Sequence, residues 1–133
     1  MSGQAGSKGH RKQLGATGEA MVARYLERLG WRIVARNYRC AAGEVDLIAE
    51  EPAGEERTLV FVEVKTRRTR SCGAPVEAVT GTKQSRLIQV AQHYLACYAG
   101  SDPEPRCRFD VAAVQMHPDG TARITLIRGA FSA

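Results

Sequence analysis

The sequence predicts an α/β fold, a central mixed β-sheet flanked by helices. Two observations carry that reading. Apolar periodicity switches between the helical and the strand period along the chain, and the elements fall in the order α-β-β-β-α-β-β without an internal repeat. A third is the run over residues 58–66, where apolar side chains fill both faces of an extended segment, as in a central strand covered on both sides.

Each element has its own signal. From Leu14 onward Val22, Ala23, Leu26 and Leu29 recur at the helical period, and Gly30 stops the helix. Residues 31–40 read as a strand and 41–43 as a turn. Residues 44–50 form a second strand, 51–57 a polar loop, and 58–66 a third strand rich in β-branched residues. Residues 67–73 make a basic, glycine-containing loop and 75–79 a short helical turn. Thr82 is then the expected N-cap of a helix running to about Tyr98. Two further strands, 106–115 and 122–128, are joined by the turn His117-Pro118-Asp119-Gly120.

A chain of 133 residues implies one domain, here residues 14–133. Residues 1–13 are polar, glycine-rich and basic, and are expected to form a disordered arm. The arm lacks the apolar centre of a signal peptide, and no run approaches the ~18 apolar residues of a membrane span. A cytoplasmic location is the expectation, with no membrane partner. Cys40, Cys72, Cys97 and Cys107 are too far apart for a CxxC motif, so zinc and disulfide chemistry are set aside. His10, His93 and His117 are scattered and receive no role. The net charge is +5, and four of the 14 acids (Glu50, Glu51, Glu55 and Glu56) crowd into one segment. The remaining surface is therefore more basic than the total, which favours a polyanionic partner such as a nucleic acid.

The chemistry lies on the second and third strands. Leu59, Phe61, Glu63 and Lys65 share one face of the third strand, with Val60, Val62 and Val64 on the other. A carboxylate and an ammonium on so apolar a strand are costly unless compensated. On the second strand Glu44, Asp46 and Ile48 share a face, opposite Val45, Leu47 and Ala49. An antiparallel hairpin with Asp46 opposite Glu63 pairs Glu50 with Leu59 and Glu51 with Thr58, leaving 52–57 as the loop. Directly opposed residues have Cβ atoms ~5 Å apart. Two carboxylates that close call for a cation between them, and oxygen-only ligation suits Mg²⁺ or Mn²⁺.

Glu19 shares the inner stripe of Val22, Ala23 and Leu26. Gln84 falls on the stripe of Ile88, Ala91 and Leu95. Both are expected to face the same pocket. Asp46 and Glu63 would hold the metal, with the Val64 carbonyl as a further ligand and Glu19 as a water-mediated ligand or an anchor. Lys65 would orient or deprotonate water, or stabilise charge on a phosphate. Arg67, Arg68 and Arg70 follow the third strand, and Lys83 and Arg86 open the second long helix. All five are candidates to grip backbone phosphates. The plainer alternatives are an ion pair between neighbouring strands for Asp46, Glu63 and Lys65, a dipole-favoured carboxylate for Glu19, and a solvated charge run for the arginines. Trp31 and Tyr38 are assigned to packing, and Asp110 to an arginine partner rather than a metal.

Gly43-Glu44-Val45-Asp46-Leu47-Ile48 followed by Val60-Phe61-Val62-Glu63-Val64-Lys65-Thr66-Arg67 resembles the PD-(D/E)xK, or restriction-endonuclease-like, superfamily. More narrowly, Gly15-Ala16-Thr17-Gly18-Glu19-Ala20, Asn37-Tyr38-Arg39, residues 78–86 and Arg108-Phe109-Asp110-Val111 resemble the YraN-type family of endonuclease-like bacterial proteins. The resemblance extends over residues 14–128 and implies a restriction-endonuclease-like αβββαβ core. The leading expectation is a Mg²⁺-dependent endonuclease acting on DNA, in repair or recombination, and the resemblance adds a homodimer as a common assembly among small members of the superfamily. Two other readings stay open: a non-catalytic nucleic-acid-binding module working with a partner protein, and an assembly protein whose acids form a buried ion-pair network.

Overall fold

Leu59, Val60, Phe61 and Val62 are at most 2% exposed, and this apolar run is the centre around which the rest is built. The computed structural model describes residues 7–54, 56–68, 80–101 and 104–132. The elements are α1 (Ser7–Arg28), β1 (Arg32–Cys40), β2 (Gly43–Ala53), β3 (Glu56–Arg68), α2 (Gly81–Leu95), a 3-10 turn (Ala96–Tyr98), β4 (Arg106–Met116) and β5 (Ala122–Phe131). The five strands form one sheet in sequential order, β1-β2-β3-β4-β5. Neighbours are antiparallel except β3 and β4, which run parallel because α2 lies in the connection between them. The order and the mixed sheet are those the sequence predicts, an α/β architecture consistent with a restriction-endonuclease-like core.

One helix covers each face. Val22, Ala23 and Leu26 of α1 pack with Trp31, Leu47, Ala49, Val60 and Val62. Leu87, Val90 and Ala91 of α2 pack with Val45, Ile48, Leu59, Phe61 and Phe109 on the opposite face. A fully buried leucine such as Leu26 contributes about 1.5–3 kcal/mol by leaving water. The α2 face is reinforced by aromatic edge contacts, Tyr38 to Tyr94 at 5.2 Å and Phe61 to Tyr94 at 6.0 Å between centroids. The Tyr38 hydroxyl and His93 Nδ1 share a 2.6 Å hydrogen bond, so His93, given no role from sequence, ties α2 to β1.

Several boundaries differ from expectation. Helix α1 begins at Ser7, so 7–13 continue the helix where a disordered arm was expected. Lys8, Arg11, Lys12 and Gln13 are good helix formers, and a polar composition does not prevent helix formation. Leu29, placed on the apolar stripe from sequence, is 45% exposed because the helix has ended and Gly30 turns the chain at φ +92°. The N-cap of α2 is Thr80 rather than Thr82; its Oγ1 accepts the Lys83 N–H at 3.3 Å. Strands β2 and β3 pair out to Ala53 and Glu56, so the expected loop shrinks to a tight turn at Gly54, whose φ is +65°. The short helical turn expected over 75–79 lies outside the described residues.

The expected arginine partner of Asp110 is present. Asp110 is 1% exposed and forms a two-pronged pair with Arg108 at 2.9 and 3.0 Å, while accepting the Gly129 N–H at 2.9 Å. Arg108 continues to Glu51 at 2.6 Å, and Glu51 to Arg128 at 2.9 Å. Both guanidiniums lie over Trp31, at 5.5 and 5.3 Å from its ring centroid. Cys40, Cys97 and Cys107 are free thiols, and Cys72 lies outside the described residues. Among the described residues no helix is long and apolar enough to cross a membrane.

Candidate active site

The hairpin register predicted from sequence is the one observed: Glu50 pairs with Leu59 and Glu51 with Thr58. The ladder between β2 and β3 ends at Leu47–Val62, so the next residues along, Asp46 and Glu63, sit side by side where the strands part. Beyond that point Asp46 replaces a backbone acceptor with its side chain, Oδ2 accepting the Val64 N–H at 2.7 Å. The expected alternation of β2 breaks here. Val45 and Ile48 lie in the same cluster, although a regular strand would put them on opposite faces. Across on β1, the pairs Arg36–Leu47 and Tyr38–Val45 bring Asn37 level with Asp46, and Asn37 has φ +50°. Asparagine tolerates that left-handed conformation better than other non-glycine residues, which suits it to this kink.

Glu63 is 6% exposed, and its Oε2 receives two ammonium groups. Lys65 Nζ lies at 3.5 Å and Lys83 Nζ at 2.5 Å. The chain has four lysines, Lys8, Lys12, Lys65 and Lys83, and half of them converge on this one oxygen. Lys65 comes from β3 itself, and Lys83 from the first turn of α2.

These groups shift one another's protonation. Burial, then the Glu63 charge, pushes the Asp46 carboxyl up to about 7; the Val64 N–H and Lys83 pull the other way, and Glu19 adds to the rise. Burial, then the neighbouring Lys83, lowers the Lys65 ammonium. For Lys83 burial also favours the neutral form, but its contacts with Glu63 outweigh it and the net shift is upward.

The other candidates fall as follows. Glu19 is half-buried on the inner stripe of α1, near enough for its charge to act on Asp46. Among the described residues no group of three acidic, histidine or cysteine side chains is gathered at metal-ligand distance. Gln84 is half-buried and engaged in an interaction of its own. Arg67 and Arg68 end β3 and are likewise engaged, while Arg70 lies outside the described residues. Arg86 lines an open cleft of about 430 Å³ with Glu44, Thr80, Thr82 and Lys83. Lys83 thus both borders this cleft and reaches the buried acid.

Sequence reasoning placed Lys83 at the periphery, because it set the inner stripe of α2 on Gln84, Ile88, Ala91 and Leu95. The buried residues are Leu87, Val90 and Ala91. A stripe through 87, 90 and 91 passes through 83 one turn earlier, and that spacing was the readable signal.

Gly18 marks the approach of α1 to the site. A Cβ built there would collide with the Thr66 side chain, next to Lys65 on β3. Only glycine lets the helix carrying Glu19 lie this close to the strand.

A family model described as "Uncharacterised protein family UPF0102" matches residues 18–114, which include Glu19, Asp46, Glu63, Lys65 and Lys83. A UPF0102 protein of Symbiobacterium thermophilum is 51% identical over 122 residues, 92% of this chain and 98% of that protein. UPF0102 proteins of Geobacter sulfurreducens and Nocardia farcinica are each 45% identical, and each alignment covers 92% of this chain and 91% or 92% of the relative.

Proposed function

The chain belongs to the UPF0102 family, the YraN-type family its motifs resemble, and we propose that it is a cytoplasmic, Mg²⁺- or Mn²⁺-dependent endonuclease acting on DNA. The observation that supports this most is the adjacency of Asp46 and Glu63 just past the last strand pair, Leu47–Val62, with Lys65 at 3.5 Å from Glu63.

The donor chemistry fits a hard divalent cation. Asp46 and Glu63 offer oxygens only, and the Asp46 carboxyl stands at about 7 largely because burial and Glu63 disfavour its charge. A cation held by both would relieve that repulsion, and Mg²⁺ commonly takes one or two carboxylates and keeps water in its remaining positions. When bound there, it would supply Lewis-acid activation of water and of a scissile phosphate. Asp46 and Glu63 would hold it, and Asp46 is itself held by the Val64 N–H. Glu19 adds negative charge from α1. Lys65, its ammonium lowered by burial, exchanges a proton with the attacking water more readily than an exposed lysine. Arg86 and the Thr80 and Thr82 hydroxyls line the cleft at the N-terminal end of α2 and would receive backbone phosphates there.

A second reading is a nucleic-acid-binding module without turnover. It is favoured by the Lys83–Glu63 pair, in which an ammonium already occupies the acid a metal would need. The two readings separate in one assay. Labelled duplex, single-stranded, flapped and four-way-junction DNA, and RNA, are incubated with Mg²⁺, Mn²⁺ or EDTA. The endonuclease reading expects metal-dependent cutting of a DNA substrate. Retention of the nucleic acids without cutting in any metal supports the module instead.

A further inference from the structure

Glu63 Oε2 is shared by two ammonium groups of different origin. Lys65 lies two residues along the same strand, and Lys83, from α2, approaches the same oxygen more closely, 2.5 Å against 3.5 Å. The two ends of this contact differ in their access to water, the Glu63 side chain being 7% exposed and that of Lys83 40%. Lys83 also lines the cleft of about 430 Å³ alongside Thr80, Thr82 and Arg86. Its ammonium therefore sits at the boundary between the buried acids and an open, polar cavity, on a flexible four-carbon stem.

We infer that Lys83 is a displaceable counter-ion. It holds Glu63 while no divalent cation is present, and moves to a nucleic-acid phosphate in the cleft when a cation takes the carboxylate. This deepens, and rests on, the nuclease reading above. A divalent cation and an ammonium compete for Glu63 Oε2, because like charges within ~4 Å repel strongly away from bulk water. The displaced ammonium has the cleft to enter, where Arg86 contributes positive charge and the one lining carboxylate, Glu44, is already paired with Arg39 at 2.9 Å, so a polyanion is what stabilises it there. Metal and phosphate therefore reinforce each other through one side chain, and the coupling is reciprocal.

The test is Mn²⁺ binding, followed by the electron paramagnetic resonance of free Mn²⁺, for wild type, Lys83→Met and Arg86→Met without nucleic acid. Thermal unfolding confirms that each variant is folded, and Lys83 is exposed enough for methionine to be tolerated. Removing the competitor at Glu63 should tighten Mn²⁺ binding about tenfold in Lys83→Met, since the competent state is no longer a minor fraction. Arg86→Met, which removes a cation from the cleft but not from Glu63, should change it by less than about twofold. A non-cleavable oligonucleotide should raise Mn²⁺ affinity in wild type more than in Lys83→Met. Unchanged or weaker Mn²⁺ binding in Lys83→Met, or an equal gain in Arg86→Met, overturns the inference and leaves the nuclease reading standing. Absence of Mn²⁺ binding in all three proteins removes the nuclease reading and this inference together.

Discussion

The Asp46 carboxylate accepts the backbone N–H of Val64 at 2.7 Å, at the point where β2 and β3 stop pairing. The contact fixes the acid but does not offset its burial beside Glu63, which is why its carboxyl rises to about 7. Because the folded value lies above the unfolded one of 3.8, the folded state binds the extra proton between these values. This group's contribution to stability is then fully present below about pH 4 and is lost as pH rises through about 7. Asp46→Asn mimics the neutral form and keeps an oxygen for the Val64 N–H. In metal-free buffer it should be more stable than wild type at pH 8, with the difference closing toward pH 4. Asp46→Ala leaves that N–H unpaired and should forfeit about 1–3 kcal/mol of the gain. Urea unfolding across pH reads this directly, and an advantage for Asp46→Asn that grows as pH falls would contradict it.

The close approach of Gly18 to Thr66 gives a second prediction. Gly18→Ala adds helix propensity worth up to about 1 kcal/mol, but its methyl meets the β-branched Thr66 side chain. A net loss of about 1–3 kcal/mol is expected. Thr66→Ala should restore most of that loss in the double variant, and a double-mutant cycle by chemical denaturation measures the coupling. A neutral or stabilising Gly18→Ala would mean that helix and strand are less tightly joined.

A third concerns the ion-pair chain away from the site. Arg108→Leu strands the buried Asp110 carboxylate and also removes a partner from Glu51. Loss of about 3–5 kcal/mol is expected. Arg128→Leu, which touches only the more exposed end of the chain, should cost about 1 kcal/mol or less. Equal losses in the two variants would contradict the account.

The candidate site was legible in sequence to the extent that it breaks a pattern. Glu63 and Lys65 interrupt an apolar strand, and Asp46 a half-apolar one, so the hydrophobic alternation itself pointed to them. The hairpin register followed because a one-residue slip would have turned every buried side chain of β2 to the wrong face. Lys83 was harder to place: the spacing to Leu87, Val90 and Ala91 was readable, but Gln84, Ile88 and Ala91 have the same spacing, and packing chose the first stripe. The kink at Asn37 and Asp46 was not legible either: it arises where two strands part, and strand alternation assumes that they do not. The helix over 7–13 was missed because its residues are polar and show no periodicity to read.

Hydrolysis of a DNA backbone by Asp46, Glu63 and Lys65 is tested most directly by the nicking of covalently closed circular DNA, which offers no ends. Nicking is expected in Mg²⁺ or Mn²⁺ and none in EDTA, with loss in Asp46→Ala and a fall of about 10²-fold or more in Lys65→Ala, both folded. Nicking that survives in Asp46→Ala, or persists in EDTA, would contradict the assignment of chemistry to this site.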